Sequence, residues 1–108
     1  MVKINYDKES DSLYVQVSSK PAFLTFEVSE HVGLDLTKSK IPVGVEILQA
    51  SAVLSKLFGK RIDKEKIKDV LCDFSDEENI YNLNFEYDNQ RAVFAIPKVY
   101  KSPVLGIG

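Results

Sequence analysis

The stretch Val32–Ser51, VGLDLTKSKIPVGVEILQAS, contains the change of hydrophobic period that decides the fold. Its first part alternates apolar and polar residues in two runs around the loop Thr37–Pro42, as half-buried β-strands do. After Leu48 the period lengthens from two residues to 3.6, which indicates a helix with one apolar stripe. The stripe consists of Ala50, Val53, Leu54, Leu57 and Phe58. We therefore predict two antiparallel strands and then a short helix, with Ser51 as a cap at its start and Gly59 at its end.

Three more alternating runs precede this stretch and predict three further strands. They are Val2–Tyr6, Leu13–Val17 and Leu24–Val28. A three-residue loop after the third run sets Val28 opposite Val32 and keeps the apolar side chains on one face. A two-residue loop would mix the two faces, so the hydrophobic pattern favours the longer loop.

The segment after Gly59 predicts a second helix and then a β-hairpin. Asp63 is a candidate N-cap, and the predicted stripe consists of Ile67, Val70, Leu71 and Phe74. Two alternating runs follow, around Asp88-Asn89, whose residue types tolerate the positive φ of a two-residue turn. This turn places Phe85 opposite Ala92 and Glu86 opposite Arg91.

The order of five strands, two helices and two strands indicates an α+β fold with an antiparallel sheet, and helices covering one face. We expect one compact domain. Residues 1–58 would form a sheet and its helix, and residues 59–108 would add the second helix and the hairpin to the same core. The 108 residues are 44% apolar and 28% charged, which is a globular balance.

The chain carries signs of a reducing compartment. Its single cysteine, Cys72, cannot form an internal disulfide, and no apolar run approaches the roughly 20 residues of a membrane span. No segment resembles a signal peptide. We therefore expect a cytoplasmic protein.

The predicted register gathers carboxylates on the polar face of the middle strands. Glu27 lies beside Gly33, Gly33 lies beside Glu46, and Asp35 lies beside Gly44. Opposed β-carbons in a sheet are about 4.5–5.5 Å apart, so three carboxylates should converge over a spot that has no side chain. Like charges at this spacing require a compensating cation or a raised pKa.

Three interpretations of this face remain open. It could be a solvated surface, relieved by nearby lysines such as Lys3. It could be an interface that receives lysine or arginine from a partner or a second subunit. It could also be a site for a hard metal ion such as Mg²⁺, Ca²⁺ or Mn²⁺, because these ions prefer oxygen ligands.

The sequence offers little other catalytic chemistry. His31 is the only histidine and falls on a predicted hairpin tip, so Cys72 has no histidine partner to activate it. No phosphate loop, dinucleotide motif or zinc spacing is present. We predict no catalytic residues and no cofactor, and an enzyme is the less favoured reading.

A basic segment spans the two predicted helices and the turn between them. Residues 56–68 contain six basic and two acidic residues. The candidates for an anion or nucleic-acid surface are Lys56, Lys60, Arg61, Lys64 and Lys68. A helix-turn-helix is one interpretation, but the lysines of the second helix do not share a face, and it lacks Arg, Asn or Gln to read bases.

Several spaced blocks of the chain resemble a small prokaryotic family known as domain of unknown function 2283. The blocks begin Ile4-x-Tyr6-Asp7-x-Glu9-x-Asp11 and continue with Thr25-x-Glu27-Val28 and Leu34-Asp35-Leu36. The last is Val43-Gly44-Val45-Glu46-Ile47-Leu48-x-Ala50-Ser51. The resemblance covers about residues 2–58. It implies a small curled antiparallel sheet followed by a helix, and an antitoxin-like or regulatory role, because members often lie near genes for ribonuclease-type toxins.

These observations rank three functions. A protein-binding or regulatory module comes first, a metal-dependent hydrolase or metal-binding protein that uses the acidic face second, and nucleic-acid binding through the basic segment third. We also expect a homodimer, because the predicted sheet edges Val2–Tyr6 and Arg91–Ile96 need covering. A basic protein is the partner that the acidic face suggests.

Overall fold

A computed structural model describes residues 2–98; the C-terminal tail 99–108 lies outside the described residues. Five strands come first: β1 (Lys3–Asp7), β2 (Ser12–Gln16), β3 (Leu24–Glu27), β4 (Val32–Leu36) and β5 (Pro42–Ile47). The helix α1 (Ala50–Phe58) and a 3-10 helix (Lys64–Asp69) follow. The last strands are β6 (Leu71–Asp76), β7 (Ile80–Tyr87) and β8 (Gln90–Pro97). Strands and helices are segregated, which confirms the α+β class.

The first five strands form one antiparallel sheet in the order β1-β2-β5-β4-β3. The Val28 N–H donates to the Val32 carbonyl across the predicted three-residue loop, at 2.9 Å. The β3–β4 register is as predicted. The β4–β5 register is also as predicted up to Asp35, after which it shifts and Leu36 lies opposite Pro42 instead of Val43.

The helix α1 ends at Phe58 with Gly59 as its C-terminal cap, as predicted. Gly59 adopts a left-handed conformation with φ of 70°, and its N–H donates to carbonyl oxygens of the last turn, as in an αL cap. Ala50 and Leu54 are fully buried, so the predicted stripe faces the core. The N-terminal cap differs from the prediction: Gln49 occupies that position and makes no side-chain cap, and Ser51 lies inside the helix.

The prediction of a second α-helix is wrong. Only a 3-10 helix of six residues forms after Asp63, and its C-terminal cap Val70 is extended, with ψ of 131°. The next residues form β6, in which Cys72 and Phe74 face inward. Leu71, which the helical stripe predicts to be buried, is 63% exposed. Val70, Cys72 and Phe74 also fit a period of two, and pairing with β7 selects that period over the helical one.

The C-terminal strands form a three-stranded antiparallel sheet, β6-β7-β8, rather than a hairpin alone. The hairpin within it has the predicted register, with Phe85 opposite Ala92 and Glu86 opposite Arg91. Asp88 and Asn89 both adopt positive φ, at 53° and 61°, as a two-residue type I′ turn requires.

Buried side chains of both sheets and of α1 form one hydrophobic cluster. Leu34 and Val45 come from the first sheet, Leu54 from α1, and Leu83 and Phe85 from the second sheet, each at most 1% exposed. The apolar rows therefore face one another, and the polar faces of both sheets point outward. No helix of the described residues is long and apolar enough to cross a membrane.

Candidate functional site: the acidic patch

The outer face of β3, β4 and β5 carries the carboxylates that the sequence predicts. Glu27 and Glu46 lie opposite Gly33 from the two neighbouring strands. They line a shallow depression of about 170 Å³, together with Glu30 and His31 of the β3–β4 loop. We call Glu27, Glu30 and Glu46 the acidic patch.

The acidic patch has no cation of its own within the described residues. All three side chains are exposed, and neither an ion pair nor a hydrogen bond joins them to another residue of the segment 2–98. Lys3, the lysine expected to relieve the face, makes no ion pair with it. Solvent and an incoming partner are therefore free to approach all three carboxylates.

Asp35 does not act with the acidic patch, although the predicted register of its strand is right. Its Oδ1 accepts a 2.6 Å hydrogen bond from the Thr25 hydroxyl, and its Oδ2 accepts a 2.9 Å bond from the Tyr14 hydroxyl. Burial, together with the hydrogen bond to Asp35 and its charge, raises the pKa of Tyr14 to about 12. The phenol thus stays protonated at neutral pH and keeps donating, so Asp35 is an acceptor inside the sheet face.

The two glycines beside these carboxylates are covered by neighbouring side chains. A β-carbon at Gly44 would lie 2.2 Å from the Tyr14 hydroxyl oxygen and 2.4 Å from its ring carbon Cζ. A β-carbon at Gly33 would lie 3.0 Å from Thr25 Cγ2. The spot without a side chain, expected at Gly33, is bordered by the Thr25 methyl group and lines the depression, whereas Gly44 makes room for the Tyr14 ring.

The arrangement gives a metal site no direct support. Within residues 2–98, no group of three or more His, Cys, Asp or Glu side chains is placed to hold a metal ion. Asp35, the third predicted carboxylate, already has a hydrogen-bond donor on each oxygen. The residues that remain form an acidic surface.

Outside the acidic patch, the carboxylate of Asp11 joins the first hairpin to α1. Its Oδ1 accepts hydrogen bonds from the Tyr6 hydroxyl (2.6 Å) and the Ser51 N–H (3.0 Å), and its Oδ2 accepts one from the Ser51 hydroxyl (2.7 Å). Its main-chain carbonyl accepts the Ala50 N–H at 2.9 Å. Asp11 therefore caps α1 from a distant turn and takes the role that the sequence predicts for Ser51.

Hydrogen bonding determines the charge state of Asp11. Partial burial raises the pKa of this carboxyl, but the hydrogen bonds from Ser51 and Tyr6 outweigh burial, so its pKa is lower than usual. The same contact acts oppositely on Tyr6, whose pKa is raised by burial and by the bond to Asp11. Asp11 is thus ionised and Tyr6 neutral at physiological pH.

The two other candidates for chemistry, Cys72 and His31, lie in different parts of the fold. Burial and the neighbouring Asp73 carboxylate raise the pKa of Cys72 to about 12, so its thiol is protonated at neutral pH. His31 lies in the β3–β4 loop at the rim of the depression, and its main-chain carbonyl accepts the Leu48 N–H at 2.8 Å.

The basic segment does not form a helix-turn-helix, which was one interpretation of its sequence, because its second half is the 3-10 helix. Two of its five predicted residues are paired locally: Lys60 with Asp88 at 3.1 Å, and Arg61 with Asp63 at 2.8 Å. Lys56, Lys64 and Lys68 are exposed and form no ion pair with a residue of 2–98. The segment therefore lacks the second α-helix that a helix-turn-helix requires.

Sequence reasoning missed Tyr14, Thr25 and Glu30. Thr25 follows from the predicted register, since it lies opposite Asp35, and Glu30 follows from the predicted loop. The position of Tyr14 next to Asp35 depends on the pairing of β2 with β5, which no local turn specifies. The alternation of β2 already places Tyr14 on the polar face, and that was the available signal.

Residues 3–51 match the model of the family described as a protein of unknown function, DUF2283. The match confirms the resemblance. The matched segment spans the whole five-stranded sheet and the start of α1, and the second sheet lies outside it. No curated protein and no solved structure matches the chain.

Proposed function

We propose that this protein is a cytoplasmic protein-binding module with an antitoxin-like regulatory role, and that the acidic patch is its contact surface for a basic partner. The observation that carries the proposal is the set of three exposed carboxylates, two on the sheet face and one on the adjoining loop, with no paired cation among residues 2–98. The position of the patch within the segment that matches the DUF2283 family supports it.

The physical argument is one of charge compensation. Carboxylates that share a small surface repel one another, and a lysine or arginine from a partner relieves the repulsion. Complementary charges of this kind increase association rate and specificity more than they increase affinity. The binding should therefore weaken as ionic strength rises, because exposed charges are screened within about 8–10 Å at physiological salt.

The test uses as its basic probe a small toxin-like protein encoded beside this chain, which is the neighbour that the family resemblance implies. Calorimetric titration should give binding that weakens at least tenfold in the variant Glu27→Lys/Glu46→Lys. The matched control is Glu78→Lys, an equally exposed glutamate on the turn before β7. Equal affinity of the patch variant and the control, or no binding by the unmodified chain, would overturn the proposal.

A further inference from the structure

Among residues 2–98, no strand pairs with the outer side of β3, which is an edge of the five-stranded sheet. Val28 donates to Val32, and bonded positions alternate along an antiparallel strand, so Thr25 and Glu27 turn their N–H and carbonyl groups away from β4. Both residues are exposed. Such an edge is a template for pairing with another strand.

Exposed apolar side chains gather at this edge. Of the six large hydrophobic residues of 2–98 that are exposed, three lie at the end where β3 begins: Phe23 at 63%, Leu24 at 36% and Ile41 at 41%. A fourth, Leu48 at 42%, lies beside the acidic patch at the end where β3 finishes. Both ends of the edge therefore offer apolar surface to a partner.

Charge is divided between the same two ends. Lys20 and Lys38 lie beside Phe23 and Ile41 where β3 begins, and Lys40 precedes Ile41 in the chain. All three lysines are exposed, and none forms an ion pair with a described residue. Glu27 and Glu30 of the acidic patch lie where β3 finishes. The edge thus runs from basic to acidic.

We propose that β3 pairs antiparallel with β3 of a second copy of this chain, so that the two sheets become one across a twofold axis. Antiparallel pairing places the lysine end of each copy against the acidic patch of the other, and the apolar residues of opposite ends meet. The interface is isologous, since each surface contacts its own complement. This inference goes beyond the proposed function, because it names a second copy of this chain, and not a different protein, as a source of lysines for the acidic patch.

Two of the other edge strands, β1 and β8, suit this pairing less well. The outward-facing side chains of β1 are the exposed and polar Lys3, Asn5 and Asp7, which protect an edge from pairing. The edge strand β8 is contacted by α1. The expected dimer contacts at Val2–Tyr6 and Arg91–Ile96 are therefore replaced in this proposal by the edge β3.

The test uses two full-length variants with opposite charge changes. Glu27→Lys/Glu30→Lys makes both ends of the edge basic, and Lys20→Glu/Lys38→Glu makes the other end acidic as well. Sedimentation velocity should show the unmodified chain as a dimer at micromolar concentration and each variant alone with at least tenfold weaker association. An equimolar mixture of the two variants should form a heterodimer, because both ends are then complementary again.

A backbone variant tests the strand pairing independently of charge. Thr25→Pro removes an outward N–H, whereas its matched control Thr25→Val keeps the N–H and loses the same hydroxyl. Thr25→Pro should prevent the dimer and Thr25→Val should retain it, with circular dichroism showing both folded. If Thr25→Pro unfolds the chain, the charge-variant mixture decides alone.

The results also separate this inference from the proposed function. A monomeric chain, or a dimer that both charge variants retain, overturns the pairing of β3. Binding of the basic partner protein by that same monomer would leave the proposed function standing. A β3-paired dimer that binds no basic protein would support the pairing of β3 and overturn the proposed function.

Discussion

Asp11 is a polar residue whose replacement should lower the stability of the first half of the chain. Three hydrogen bonds end on its carboxylate, and two of them hold the start of α1. Asp11→Asn keeps a side chain that tolerates the positive φ of 54° but loses the charge and one acceptor oxygen. We expect a loss of about 2 kcal/mol in the free energy of unfolding, measured with urea. Glu9→Gln, an exposed change in the same turn, should lose under about 0.5 kcal/mol.

The Asp11 carboxylate should also make the free energy of unfolding depend on pH in the acidic range. Because the hydrogen bonds outweigh burial and lower the pKa of Asp11 in the folded chain, the unfolded chain binds its proton first. Its contribution is then fully present above the unfolded pKa of about 3.9 and is lost as pH falls through the folded pKa. The difference in unfolding free energy between the unmodified chain and Asp11→Asn should be constant from pH 7 to 5 and shrink below about pH 4. A difference that stays constant at pH 3 would contradict this.

At the scale of residues, the sequence predicts where a side chain lies in the sheet better than it predicts which side chains form hydrogen bonds with it. Glu27 and Glu46 lie beside Gly33 as the register requires, because the apolar row leaves only one pairing that keeps its faces separate. Asp35 also has its predicted register, but its hydrogen bonds come from hydroxyl groups whose reach the pattern does not encode. Side-chain contacts therefore needed the structure, even where the backbone did not.

At the scale of strands, the contact of Tyr14 with Gly44 explains a glycine inside β5. Gly44→Ala would place a β-carbon 2.2 Å from the Tyr14 hydroxyl oxygen, so the ring must move and lose its bond to Asp35. We expect a loss of about 1–3 kcal/mol by urea denaturation. Gly33→Ala, with a 3.0 Å contact to one methyl group, should cost less.

A double-mutant comparison isolates the cause. In the background Tyr14→Ala, Gly44→Ala should be neutral or stabilising, because alanine loses less backbone entropy than glycine in a strand. An unchanged cost in that background would show that something other than the Tyr14 ring requires Gly44.

The end of α1 depends on backbone conformation alone. Gly59 has φ of 70°, and a β-carbon there would meet nothing within 4 Å. Gly59→Ala should therefore cost about 1 kcal/mol through strain. Gly59→Asn should cost less, since asparagine tolerates this conformation. Thermal unfolding followed by circular dichroism measures both, and equal costs for the two variants would contradict the explanation.

The elements that the sequence predicts wrongly are those whose pattern fits two periods. Residues 70–74 fit both a helical stripe and a period of two, and Leu71 and Cys72 separate the two interpretations, because the helix would bury Leu71 and the strand buries Cys72 instead. Partners far along the chain decide between them, and β7 provides those partners. The hairpin β7–β8 is different, since its turn residues specify its register locally.

For the whole molecule, the shared core predicts one cooperative unfolding transition. Leu83 and Phe85 of the second sheet belong to the same buried cluster as Leu34 and Val45 of the first. Removing either sheet would expose the other's apolar face. Far-ultraviolet circular dichroism and tyrosine fluorescence should give coincident urea transitions. Two separated transitions would show that residues 1–58 and 59–108 are independent units.

The α+β class of the whole molecule follows from the segregation of strands and helices in the sequence, but the order of the first sheet does not. Local loops specify the meander β3-β4-β5 and the hairpin β1–β2. The insertion of β2 beside β5 is set by packing, with Leu13 opposite Ile47 and Val15 opposite Val45. No turn signal encodes that pairing, because the strands that it joins are separated by two others.

The pairing of β2 with β5 also has a kinetic consequence. The meander β3-β4-β5 can form early through two short loops, whereas the first hairpin must then find β5 across a long closed loop, at an entropic cost. The bond between Asp11 and Ser51 spans the same loop and forms only once that search ends. Folding of this chain should therefore be slower than its short hairpins suggest, and changes at Leu13 should slow refolding less than equally destabilising changes at Leu34.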